Sequence, residues 1–424
     1  MPRLLCLSPN RFASVLPVVV ALCLFAVGAS ACAQGTALPP VPQPAFPKLF
    51  PKYTGVNGYE DIVMAADLLL GNPMVQVAQN PDATLKDMRR ALDDPNIDRA
   101  LQLVRNGLNK PVQSPRDPDK LDENTLLPEY SGIRELGRLI AVQEYVFLAD
   151  GQVPRAIDAM REGLRLGYII QGETLLSGLV GIAIDSMVLE KFAGHFDQLA
   201  LRDCANLIAL AQEWLKMPSR MEVVLTMEHQ SMLNMLSGWK DDPERLRAVV
   251  KMMQPKDAPT SDSDLAALEL SAYVNSQGAA IPAMLDQTRA IADTQDRVLI
   301  EETRKPAWQR KPFRQLETRG TMASRLYGLV SPTYSPALGK FDAEAARIHL
   351  LGIHAAIRKF RWENNRLPTS LSELKLPVLS TDPFTGAPLV YKVSGANYEL
   401  NSAGPSGGDA TAGNGPVYLP RKTN

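Results

Sequence analysis

Only one stretch of this 424-residue chain alternates clearly at strand period. Leu389, Tyr391 and Val393 alternate with Val390 and Lys392, and Tyr398 and Leu400 alternate with Glu399 and Asn401. Ser394-Gly395-Ala396-Asn397 joins the two runs with turn formers, so the stretch spells a β-hairpin. A lone hairpin is marginal in water and must pack on something. From Gly58 to about Val330 nearly every segment carries helical spacing instead. The fold this dictates is mainly α, made of helical hairpins, with a small C-terminal α+β module in which a long helix supports the β-hairpin.

Breakers divide the helical part. Tyr59–Leu70 reads as a short apolar-faced helix, and Ala83–Leu108 as two helices broken at Asp94-Pro95. Lys110–Asn124 is a polar, Pro-containing loop. Ile133–Leu148 and Val153–Leu166, joined by Ala149-Asp150-Gly151-Gln152, form an αα-hairpin. Gly172–Phe192 is strongly apolar, but Glu173, Asp185, Glu190 and Lys191 make it a buried central helix and not a membrane span. Arg202–Leu215, Glu222–Leu236 and Asp242–Met253 continue the series. Ser263–Thr303 supplies one or two helices with a break near Pro282, and Arg319–Leu329 supplies a last short one. Lys305–Arg314 is a basic loop with Trp308, and Ser331–Leu338 reads as a hinge.

The tail begins with a helix over Asp342–Asn364, whose Ala346, Leu350, Ile353, Ile357 and Phe360 share one face. Arg358, Lys359 and Arg361 suit its C-terminal end, and Asn364-Asn365 with Pro368 stop it. Ser370-Leu371-Ser372-Glu373 has capping-box spacing for a short helix, which Pro377 ends. Asp382-Pro383 opens a turn and Gly386 supplies backbone freedom.

At the other end, Met1–Ala33 has the make-up of a secretory signal peptide. Arg3 and Arg11 form its basic region, Val15–Val27 its apolar core, and Ala31-Cys32-Ala33 its small cleavage residues. Ala29-Ser30-Ala31-Cys32 also resembles a bacterial lipobox, in which Cys32 is lipidated. The chain is therefore expected to be exported, periplasmic or secreted, with a membrane-anchored lipoprotein as the alternative. Residues 34–52 form a Pro-rich linker, kept extended by Pro39, Pro40, Pro42, Pro44, Pro47 and Pro51. Loss of Arg3 and Arg11 takes the net charge from −1 to −3. Without a basic excess, nucleic acid is not an expected partner.

Two resemblances emerge. Phe147, Gly151, Ala156 and Met160 fall at positions resembling those of a tetratricopeptide repeat, in one copy. Residues 356–368 (AIRKFRWENNRLP), followed by Asp382-Pro383-Phe384, Gly386, Pro388, Tyr391, Gly395, Tyr398 and Asn401-Ser402-Ala403-Gly404-Pro405, resemble the globular part of type II secretion major pseudopilins. The resemblance implies a helix, a loop, a hairpin and a closing loop. In that family the closing loop binds calcium through acidic residues; here Ser402 and Asp409 are the candidate ligands, and no other cofactor is implied. This module follows about three hundred mostly helical residues and not the apolar filament helix of that family, so a filament-subunit role is not implied. The combination also resembles a group of exported bacterial proteins with no assigned chemistry. The domain reading is 1–33 signal peptide, 34–52 linker, 53–338 helical body and 339–424 pseudopilin-like module.

Candidate chemistry is sparse. Cys204 lies on an apolar helix pattern and reads as a buried structural thiol. Of the four histidines, His349 and His354 are five apart and do not share a helix face, and Glu228-His229 lacks the second His of HExxH. His229 with Met227, Met232 and Met235 is compatible with soft copper, but methionines at helical spacing read as core. The adjacent acids Asp93-Asp94, Asp241-Asp242 and Glu301-Glu302 read as solvated surface. No GxSxG, GxGxxG or P-loop occurs. The function expected is a non-catalytic envelope or secreted scaffold with a protein partner. The alternatives are an accessory component of a type II secretion or pilus-like system, and a hydrolase with its site near His195, His229 or His354.

Overall fold

The computed structural model of the chain describes residues 53–125, 127–311, 320–405 and 415–419. The signal peptide, the Pro-rich linker, Cys32 and Asp409 lie outside the described residues.

Side-chain caps set most of the early helix starts. α1 (Gly58–Leu68) begins at Asn57, which accepts from Tyr59 N, and α2 (Pro73–Gln79) at Asn72, which accepts from Met74 N. α3 (Leu85–Leu92) begins with a Thr84–Asp87 capping box. α4 (Pro95–Leu108) begins at Asp94, whose carboxylate takes the amides of Asn96 and Ile97 ahead of Pro95. The Asp94-Pro95 break is thus a cap followed by a proline preset for the first turn.

α5 (Glu129–Ala149), α6 (Val153–Ile170) and α7 (Leu175–Ala193) each pack on the other two. Small residues let them close: a Cβ on Gly137 would lie 2.6 Å from Ile184, and one on Gly163 would lie 2.5 Å from Val188. Gly151 supplies the left-handed corner between α5 and α6 (φ +71°), with open space around it. Ala156 and Met160 are buried, and the Arg155 guanidinium lies 4.0 Å from the Phe147 ring centre. α1 packs on α4 and α5. Among the described residues no single helix is long and apolar enough to cross a membrane.

α8 (Leu201–Trp214) and α9 (Met221–Asp241) follow. α10 (Pro243–Met253), α11 (Asp262–Ser276), α12 (Ile281–Thr303) and α13 (Met322–Val330) come next. The expected break near Pro282 is real, with Pro282 in the first turn of α12. Residues 236–291 and 320–333 group as one unit, in which α11 packs on α10 and α13 and Lys240 pairs with Asp286 at 2.7 Å.

The other unit comprises residues 53–235, 292–311 and 334–419. Its last helix, α14 (Tyr334–Asn364), starts eight residues before the expected Asp342. The expected hinge over Ser331–Leu338 is therefore corrected, because Tyr334, Ala337 and Phe341 are buried and burial of that face extends the helix. The 338/339 domain boundary falls inside this helix. α14 packs on α7 and α8, and its Ile348, Leu350, Leu351 and Ile353 join the same core as α1 to α8. Asn365 ends it in the left-handed region (φ +52°).

Beyond α14, Leu371–Leu374 forms one 3-10 turn. The expected capping box is half made: Ser370 provides no side-chain cap, while Glu373 reaches back to Thr369. Pro377 opens a one-turn helix, α15 (Pro377–Ser380), and does not end the previous one, because Lys375 has already turned the chain left-handed (φ +56°). β1 (Val390–Ser394) and β2 (Asn397–Asn401) pair antiparallel, with Tyr391 opposite Leu400 and Val393 opposite Tyr398. Gly395 takes the positive φ (+61°) at the first position of the two-residue turn. The fold class is mainly α with a small C-terminal α+β module.

Candidate functional site

The end of α14 and the turn after it form an open groove of about 530 Å³. Its floor is apolar, from Ile208 on α8 and Ala356, Phe360, Leu374 and Leu376; Lys359, Arg366 and Lys375 stand on its rim with Glu363 and Glu373. The rim is pinned by Glu373, which accepts from Arg366 Nη2 at 2.6 Å and from Thr369 Oγ1 at 2.6 Å. The bond from Arg366, then those from Thr369, hold its carboxyl down to about 2. The left-handed Lys375 places Leu374 and Leu376 beside the helix.

The histidines hold elements together. His229 is gripped at both ring nitrogens, Nδ1 by Asp296 at 2.9 Å and Nε2 by Asp293 at 3.1 Å, which ties α9 to α12. The bond from Asp296 outweighs desolvation and raises its pKa. His354 is stacked on Phe196 with ring centres 4.7 Å apart, and its Nδ1 is 2.8 Å from the Tyr398 hydroxyl. That contact fixes β2 on α14. His349 meets Leu379 O at 3.1 Å, and burial lowers its pKa. His195 lies 3.2 Å from Lys191 O and edge-on to Tyr145. Met232 and Met235 are buried packing residues. Cys204 is buried, and desolvation pushes its thiol up to about 11, away from nucleophile chemistry.

Two of the acid pairs read as surface contain helix caps: Asp94 begins α4, and Asp242 accepts from Glu244 N to begin α10. In the tail, Ser402 Oγ donates to the fully buried Asp382 at 2.9 Å, and Ala403 N donates to the same carboxylate at 2.7 Å. Ser402 is therefore bonded into the turn that starts at Asp382. Among the described residues no group of three or more His, Cys, Asp or Glu could hold a metal ion.

Sequence reasoning missed the buried charge clusters. Arg116 Nη1 lies 2.5 Å from Glu129 and 3.0 Å from Glu173, while Tyr59 and Tyr130 donate to the same two carboxylates. This anchors the loop after α4 on α5. A second cluster gathers Gln171 at the C-cap of α6, Asp185 from α7 and Glu344 from α14. Its partners are up to 173 positions apart, so no local spacing reveals them. The one available signal was an Asp inside the mostly apolar Leu179–Leu189.

Models of known families, curated proteins and solved structures were all compared with the chain, and none matches.

Proposed function

We propose that this chain is an exported, non-catalytic scaffold that binds a protein partner in the groove at the end of α14. The observation carrying the reading is the groove itself: about 530 Å³, apolar at the floor, charged at the rim, and held in shape by the Arg366–Glu373–Thr369 bonds. Its walls come from α8, α14 and the following turn, which share one core, so the surface is preformed and a partner meets little ordering cost. The test compares Phe360→Ala and Leu376→Asp with wild type in affinity capture from the native envelope extract. The reading expects one defined protein recovered by wild type and lost with both variants, whose circular dichroism stays unchanged. Equal recovery with folded variants overturns it.

A second reading, an accessory role in a type II secretion or pilus-like system, is supported by the order of helix, loop, hairpin and closing segment in the tail. Deleting the tail is a poor test, because α14 carries core residues. Changing exposed Trp362 or Val378 in the native host and assaying secretion is better. Unchanged secretion with normal protein levels counts against this reading.

A further inference from the structure

Asp185 is fully buried on α7, and Glu344, on α14, is 8% exposed. The two carboxyls converge on one side-chain amide. Gln171, at the C-cap of α6, spans them, its Nε2 lying 3.1 Å from Asp185 Oδ2 and 3.3 Å from Glu344 Oε2. No protein donor reaches Asp185 Oδ1. Two buried carboxylates held on one amide repel one another, and a proton on one of them removes that repulsion.

Space for this pair is built in. A Cβ on Gly167 would lie 2.1 Å from Asp185 Oδ1, and a Cβ on Gly181 would lie 2.4 Å from both Gln171 Cγ and the Gly167 carbonyl. A well-packed apolar trio here would hold the three helices at least as firmly as buried acids do. The acids add sensitivity to protons.

We propose that Asp185 and Glu344 share one proton that clasps α14, with the C-terminal module it carries, onto α6 and α7, and that this clasp weakens as pH rises. The groups facing the pair are the neutral Gln171 amide at the C-cap of α6 and the Arg347 guanidinium from α14, whose Nη1 lies 3.1 Å from Ser186 Oγ on α7. Arg347 balances one negative charge and leaves a second unbalanced. Burial is the leading cause that raises both carboxyls, and the charge of Glu344 adds to it at Asp185. A raised carboxyl stabilises the fold fully below its unfolded pKa, near 4, and progressively less as pH climbs towards the folded value. Over that window the opening equilibrium grows about tenfold per pH unit.

The test is amide hydrogen exchange of the full chain from pH 5 to pH 9, corrected for intrinsic exchange, in wild type, Asp185→Asn and Glu344→Gln. Glu144→Gln is the common background, because Glu144 is another buried acid. Exchange over Glu344–Ile357 and both strands should rise with pH in wild type and rise less steeply in both variants. A protonated-carboxyl infrared band at neutral pH, present in wild type and shifted or lost in either variant, is the second expected result and needs no pH series. Equal pH slopes in wild type and variants, or no infrared difference, overturns the proposal.

Discussion

Asp382 ties the turn after α15 to the segment that follows β2. It is fully buried, and its carboxylate accepts from Phe384 N at 2.9 Å, Ser402 Oγ at 2.9 Å and Ala403 N at 2.7 Å. Asp382→Ala leaves three donors without their acceptor. Each buried donor left unpaired costs about 1–3 kcal/mol. Counting the Ser402 hydroxyl in full and the two part-buried amides at the low end, the module should lose about 3–5 kcal/mol. Asp382→Asn keeps one acceptor oxygen but turns an amide NH2 towards Ala403 N, so its loss should be about 1–3 kcal/mol. Ser402→Ala, which also removes the acceptor for Gly404 N, should cost about 1–2 kcal/mol. Amide exchange over β1 and β2 reads these losses directly, with α5 to α7 as the internal reference. Exchange in the two strands unchanged on Asp382→Ala, or Asn worse than Ala, would refute the assignment of Asp382 as the tie.

Three further perturbations test the packing and the charges. In Gly58→Ala the new Cβ would stand 2.1 Å from the Gly107 carbonyl, a backbone atom that cannot swing aside, so thermal denaturation should show a loss of about 3 kcal/mol or more. Glu144 is fully buried, no protein donor reaches its oxygens, and burial raises its pKa well above the usual carboxylate range. Its proton is therefore kept in the fold and released on unfolding. The cost grows by about 1.4 kcal/mol per pH unit above the unfolded value, and Glu144→Gln should stabilise the chain at pH 7 and flatten that slope in denaturant titrations. His229 has the same sign of pH dependence, in a higher pH window. Its raised pKa means its contribution is complete below about 6.5 and fades as pH rises through the folded value, so His229→Gln should weaken the α9–α12 contact at pH 6 more than at pH 9 in exchange experiments.

The hairpin, its turn and the helix before it were legible because their signals are local. Alternation over Leu389–Val393, glycine at 395 and helical spacing through Ile357 are each read within a few residues. The start of α14 was not legible, because SPTYSPAL carries two prolines and looks like a linker until burial of Tyr334 and Phe341 is known. Gly151 was legible as part of the connection between two helices, but its φ of +71° cannot be read from spacing. The groove escaped sequence reading for another reason. Its walls join Ile208 to residues 356–376, a proximity set by α8 packing on α14. Asp185 and Glu344 were both visible as acids on helical segments, but only tertiary packing brings them together.

Photo-crosslinking from the groove rim tests the docking surface most directly. A photoreactive residue is placed at Lys375, exposed on the rim, and as a control at Val298, 53% exposed on α12 and outside the groove. Irradiation in the native envelope should give one saturable adduct from position 375 that excess unlabelled wild-type protein competes away, and no such adduct from position 298. The same adducts from both positions, or none from 375, would contradict the reading of this groove as a partner site.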